Sequence, residues 1–324
     1  MATGDSDAHH KDRSGLFKVK AITQRGIIWV LAASVLWGTT GTAAAQAPDV
    51  GPLAIGAAAM GIGGLLQGVL ATGDLCRHRA EVAGQWRALA LSSLTVALYP
   101  LAFYSSMRLA GVAVGTVISI GSAPVAAAII ERLVDGRPFS RRWMLGTSLA
   151  MTGLLALTAG HLATSASGTS HADSVLGAAL GLFAGFTYAT YSWGAARMMR
   201  AGVQSRLAMG TIFGIGGLLL LPVLLVSGAS ILQSGRNFAV VSYMALVPMF
   251  IGYLLFGRGL ASVTASVATT LSLLEPAVAT LLAVLVLHER LALSGWLGLV
   301  AVFAGLLVIT VPQRSSRVRV SPAK

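Results

Sequence analysis

The sequence is short of charge. Of 324 residues 34 are charged, 23 basic and 11 acidic, or 10% of the chain, where a soluble domain carries roughly 25%. So few ionised side chains cannot solvate a globule of this size, which excludes a soluble multidomain enzyme. Cysteine is scarcer still. Cys76 stands alone, so no internal disulfide and no Cys-x-x-Cys metal site can form. The sequence has no GxxxxGK[ST], and therefore no ATP-driven pump within it. It has no HExxH and no Cys/His cluster, and neither Asp nor His occupies the middle of an apolar run. Intramembrane metallo- or aspartyl proteolysis and His-based acyl transfer thus lack their groups. No catalytic residue, metal or cofactor is expected.

Apolar residues make up 55% of the chain. They gather in ten runs, at about 27–46, 52–72, 88–107, 112–131, 143–160, 175–197, 207–227, 239–257, 263–287 and 291–311. Each is near the ~20 residues that cross ~30 Å of hydrocarbon as a helix. The expectation is an all-α polytopic membrane protein of ten transmembrane helices. A net charge of +12 on a folded surface would suggest nucleic acid, but the basic residues fall in the breaks between runs. With the N-terminus in the cytoplasm, 20 of the 23 lie on cytoplasmic breaks or tails, and only Arg108, Arg236 and Arg290 do not. That asymmetry predicts a multi-pass protein of the inner (plasma) membrane with both termini cytoplasmic. Trp29, Trp86, Trp143 and Trp296 stand near run ends, where aromatic belts form. Ala43-Ala44-Ala45 resembles a signal-peptidase site, but the first run takes part in an internal repeat and is read as a true helix.

That repeat is the most informative feature. Sliding the sequence by 152 lays 113–157 on 265–309 with ten of 45 positions identical, among them Pro124/Pro276, Gly146/Gly298 and Gly153/Gly305. A slide of 151 lays Trp37-Gly38-Thr39 on Tyr188-Ala189-Thr190. Five spans per unit is an odd number, so the second copy enters the membrane from the opposite side. Inverted repeats of this kind build secondary transporters with a substrate site near the midplane. The expected division is a tail 1–25, a first five-helix unit 26–160, an external linker 161–174, a second unit 175–311 and a tail 312–324.

Of the charges, only Glu275 sits at the centre of a span. A central carboxylate costs roughly 2.5–3.5 kcal/mol on insertion scales and usually faces a cavity or partner. It can bind a cation, either a substrate amine or a coupling proton. It can equally serve Pro276 beside it, since proline frees backbone groups that a protonated Glu could satisfy. Pro100, Pro124, Pro248 and Pro276 are read as helix kinks that serve gating, and Pro222 is a fifth intraspan proline. Trp37, Thr40, Tyr99, Ser119, Ser122, Tyr188, Tyr191 and Ser272 are polar or aromatic at mid-span depth and, with Glu275, form the candidate substrate cavity. Gly177, Gly181 and Gly185, and likewise Gly64 and Gly68, read as close-packing ridges. Arg108, Glu131 and Arg258 read as span-end residues that snorkel or meet lipid.

Trp37-Gly38, Ser122-Ala123-Pro124-Val125, Leu274-Glu275-Pro276 and His288-Glu289-Arg290-Leu291 together resemble the EamA family of the drug/metabolite transporter superfamily. The resemblance covers 25–311. It implies ten helices in a 5+5 inverted repeat around a central cavity, and commonly export of amino acids or other small metabolites from bacteria. It also implies a cavity lined by the third, fourth, eighth and ninth helices with help from the first and sixth. The units differ in their acidic motif: Ala123 stands where the second has Glu275, and Arg137 where it has Glu289. The expected function is a secondary transporter working by alternating access. Its expected partners are a small-molecule substrate, a coupling proton and the lipid bilayer, with no nucleic acid. The competing reading is a non-transporting membrane scaffold or regulatory subunit, for which the short loops offer little surface.

Overall fold

The computed structural model describes residues 23–162, 170–286 and 291–311. Long helices follow one another throughout: α1 Thr23–Ala44, α2 Pro52–Ala83, α3 Trp86–Ala110, α4 Val112–Asp135, α5 Arg141–Leu162, α6 His171–Arg200, α7 Ser205–Gln233, α8 Gly235–Leu260, α9 Ala265–Val286 and α10 Leu293–Thr310. All but α5 are, among the described residues, long and apolar enough to cross a membrane by length and composition. α5 has 22 residues and opens on Arg141 and Arg142. No strand occurs among the described residues. Large apolar side chains such as Val69, Leu145, Leu225 and Val226 face outward, as a lipid solvent requires.

The packing makes two five-helix units in inverted topology. α2 lies on α7, α5 on α10 and α4 on α9, each pair joining equivalents in the two units. The first helix of each unit crosses into the other. α6 packs between α3 and α4. Correspondingly, α1 meets α8 through Gly26 and Gly259 and α9 through Gly38 and Val278. The α5–α10 seam explains the repeated glycines. A Cβ built on Gly153 would lie 2.6 Å from the Gly298 carbonyl oxygen, and one on Gly298 2.6 Å from that of Gly153. Gly146 and Gly305 meet in the same reciprocal way, at 2.8 and 2.5 Å. A pseudo-twofold axis requires such exchange of contacts. The α6 ridge packs as its sequence suggests, Gly177 on Ala110, Gly181 on Ser106 and Ile118, and Gly185 on Ser119 and Ser122.

Arginine gathers at one end of the bundle, where Asp135 pairs with Arg197 and Arg200, Asp74 with Arg206, and Arg142 donates to the Val308 and Val311 carbonyls. Arg108 and Arg236 lie at the other end, where Arg236 donates to Gln46. Two readings need correction. The break placed after residue 72 is helical: α2 runs on through Cys76 to Ala83, bent at His78, because Asp74 holds it against α7. Glu131 does not snorkel to lipid. It is 5% exposed and accepts hydrogen bonds from the Ala265 amide (2.8 Å) and the Ser266 hydroxyl (2.6 Å), capping α9. Trp143, near the start of α5, turns its indole N–H inward to Thr270 at 3.0 Å.

Candidate functional site

Three helices lose regularity at one place. α1 is interrupted at Thr39, just after Gly38. α8 widens into a π-helix at Ala245–Ile251 around Pro248. α9 stops at Leu271 and resumes at Leu274. Non-helical backbone at membrane depth persists where protein or a cavity surrounds it, and π-turns cluster at functional sites. Side chains from the neighbouring helices take up the freed carbonyls. The Trp37 indole N–H donates to the Pro248 carbonyl at 2.9 Å, and the Gln67 amide lies 3.4 Å from that of Met249. Gly38 lets α1 lie directly on the α9 break: a Cβ there would sit 2.9 Å from the Glu275 carbonyl oxygen.

The break also settles what Pro276 asks of its neighbour. The carbonyl that a proline at 276 leaves free is that of Ser272, and the backbone N–H of Glu275 takes it at 2.9 Å. Pro276 then stands in the first turn of a new half-helix, where its missing N–H removes no bond. The Glu275 carboxylate is not needed for this, and among the described residues it enters no hydrogen bond or ion pair. It is half-buried and faces a cavity lined by Trp37, Thr40, Tyr99, Tyr104, Tyr188 and Tyr253 together with Met60, Met249 and Phe103.

An aromatic layer closes this cavity toward the arginine-rich end. Trp37 and Tyr253 lie 4.8 Å apart between ring centroids, Tyr253 and Phe213 4.4 Å, and Trp37 and Phe256 5.2 Å. All four rings are buried. Thr40, Tyr99, Tyr104 and Glu275 keep partial exposure, so access rises toward the opposite end. The cavity leaves about 30 Å³ for the centres of water-sized spheres, room for roughly two waters. Beyond the aromatic layer, a recess of about 450 Å³ opens at the arginine-rich end beside Glu131, Arg137 and Arg200. The Ala265–Leu271 half of α9 packs on α4, and the Leu274–Val286 half packs on it far less. The two helices therefore converge at the arginine-rich end and part at the other.

A profile of the EamA-like transporter family matches residues 24–159 and 175–311. The chain belongs to the EamA-like transporter family. The uncharacterized transporter YwfM of Bacillus subtilis (strain 168) is 35% identical over 291 residues, covering 90% of this chain and 95% of its own. The uncharacterized inner membrane transporter YicL of Salmonella typhimurium is 24% identical over 304 residues, 90% of this chain and 97% of its own. One crystal structure superposes with a TM-score of 0.71 at 18% identity over 87% of this chain and 95% of its own, a likeness of fold.

Within this EamA-like chain, the structure brings Trp37, Thr40, Tyr99, Tyr188, Glu275 and Pro100 together around the cavity. It places the other candidates behind the wall. Tyr191 bonds its hydroxyl to that of Tyr253 at 2.8 Å. Ser122 donates to the Ser119 carbonyl and Ser272 to that of Thr269, while Ser119 is buried under Gly185. Of the expected kinks, Pro248 lies in the π-turn and Pro276 follows the α9 break, whereas α3 and α4 stay continuous helices through Pro100 and Pro124. His288, Glu289 and Arg290 lie outside the described residues, as do the tails. The sequence reading missed Tyr104, Tyr253, Phe103, Met60 and Met249. A slide of 149 lays Tyr104 on Tyr253, a register the longer slides overlook.

Proposed function

We propose that this protein is a secondary transporter that exports small amphipathic metabolites, among them amino acids, amines and related compounds, across the cytoplasmic membrane by alternating access. Units 26–160 and 175–311 rock about the seam between them. The arginine-rich end and both termini face the cytoplasm, so the conformation described is closed inward. The observation that carries this reading is the unpaired Glu275 carboxylate at mid-span, beside three helix irregularities at the junction of inverted units. Substrate sites of secondary transporters lie at such junctions. In this reading Glu275 holds the substrate's ammonium group in one half of the cycle and a coupling proton in the other. Trp37, Tyr99 and Tyr188 supply flat apolar walls, and the α8 and α9 irregularities provide the hinge. Purified protein in liposomes is expected to move a candidate amine or amino acid down an imposed gradient, with a rate that varies with pH. Glu275→Gln is expected to lose both the flux and its pH dependence. Unchanged flux and pH profile in that variant would return Glu275 to a purely structural role.

A further inference from the structure

The chemistry of the cavity wall narrows the substrate class, an inference that rests on the transport reading above. An amino acid has two charges to place. Its ammonium group finds Glu275, but its carboxylate finds no cationic partner. Among the described residues no Lys, Arg or His lines the cavity. The other usual holder of a carboxylate is the N-terminus of a broken helix, and here that terminus is short of donors: Pro276 has no N–H, and the Glu275 N–H is bonded to the Ser272 carbonyl. The Thr40 hydroxyl gives its proton to the Trp37 carbonyl at 2.7 Å. An anion in the cavity would face the Glu275 carboxylate and the ring faces, with tyrosine hydroxyls as donors and no fixed positive charge among the described lining residues.

A cation meets the reverse. Trp37 and Tyr188 stand nearly perpendicular (85°) with centroids 6.4 Å apart, Tyr99 and Tyr188 cross at 48° and 5.6 Å, and Trp37 and Tyr253 at 50° and 4.8 Å. These rings line the cavity beside Glu275, and aromatic π faces attract ammonium and quaternary ammonium groups. Met60 and Met249 add polarizable sulfur to the same wall. We infer that the cavity, widening beyond the two-water volume of the conformation described, takes compact organic cations, amines or quaternary ammonium compounds that carry no carboxylate, and selects against zwitterionic amino acids.

The test uses full-length protein in detergent with tritiated benzyltrimethylammonium as probe. Its competitors are neopentylbenzene, which replaces the charged nitrogen by carbon, and the zwitterion L-phenylalanine. Saturable binding of the cation is expected, with both competitors at least tenfold weaker than the unlabelled cation. Glu275→Gln is expected to weaken cation binding at least tenfold and Glu275→Asp much less, both variants first shown to elute as the wild type does. Equal competition by phenylalanine, undiminished binding to Glu275→Gln or absence of saturable cation binding would each overturn the inference. Flux in liposomes separates this from the transport reading. Phenylalanine carried and the cation refused keeps transport and sinks cation selectivity. Cation bound selectively but moved under no gradient sinks transport and keeps the site.

Discussion

Two sets of three helices do the same architectural job in this molecule and do it differently. α6 lies between α3 and α4, and its repeat counterpart α1 lies between α8 and α9. The first set is regular. α3, α4 and α6 run uninterrupted, two of them through a proline, and Gly185 is pressed onto Ser119 and Ala123. The second set carries the turn at Thr39, the π-turn of α8, the break of α9 and the carboxylate. Equivalent prolines thus sit in a continuous helix on one side and beside a broken one on the other. Proline permits an irregularity without dictating it; tertiary surroundings decide. In the transport reading proposed above, the regular set is the anchored wall and the irregular set holds the groups that exchange partners.

The sharpest way to break this comparison is to move the carboxylate across it. Ala123 occupies the position equivalent to Glu275 but is fully buried against α6. An unpaired charge placed in such a site costs several kcal/mol. Ala123→Glu is therefore expected to abolish monodisperse protein on size exclusion, whereas Glu275→Leu, which removes a carboxylate from hydrocarbon, is expected to keep or raise the melting temperature in detergent while losing transport. Equal tolerance of both would mean that the two sets are not distinguished by packing at this level.

Next in size is the cap at the arginine-rich end. Glu131 closes the N-terminus of α9, while the equivalent start of α4 has no side-chain cap. Glu131→Ala leaves two donors unpaired, and hydrogen bonds to a charged group are worth about 1.5–3 kcal/mol each when one partner is lost. A melting temperature several degrees lower is expected, together with faster labelling of a cysteine introduced at Val267 by a water-soluble maleimide. An unchanged labelling rate would show that the cap does not hold that end shut.

The smallest effects compare two equivalent aromatics. Trp37 donates to the Pro248 carbonyl; the Tyr188 hydroxyl is buried without a hydrogen-bond partner. Trp37→Phe should cost about 1 kcal/mol for the lost bond plus a share for the smaller ring, and Tyr188→Phe should stay within about 0.5 kcal/mol, since no bond is lost. Thermal melts of the two variants in one detergent check the order. A larger loss for Tyr188→Phe would mean that its hydroxyl is bonded in the solubilised protein.

Much of this was legible in the sequence, because the signals were long. Apolar runs of about 20 residues and arginines in the gaps between them predict ten helices without reference to packing. The repeat marks Gly146, Gly153, Gly298 and Gly305 as shared positions, and the structure places them at the α5–α10 seam. What could not be read is decided by contact. Nothing local tells Pro124 from Pro276, and only the structure shows the helix stopping ahead of the second. Glu131 looked like a span-end charge because its two donors lie 134 and 135 residues away. The extension of α2 depends on Asp74 meeting Arg206 across 132 residues. Tyr104 and Tyr253 escaped because α3 and α8 keep a different offset from the later helices, so one sliding register could not show both.

The reciprocal glycines of α5 and α10 carry one more consequence. Gly153 occupies the space that a side chain on Gly298 would need, and Gly298 does the same for Gly153. The repeat turns this contact into that of Gly305 with Gly146, so in two identical five-helix chains the two pairs would be one contact made twice, and one mutation would strike both at once. In one polypeptide the paired positions can mutate separately, but the geometry still binds them: a side chain on either glycine of a pair meets the backbone of the other.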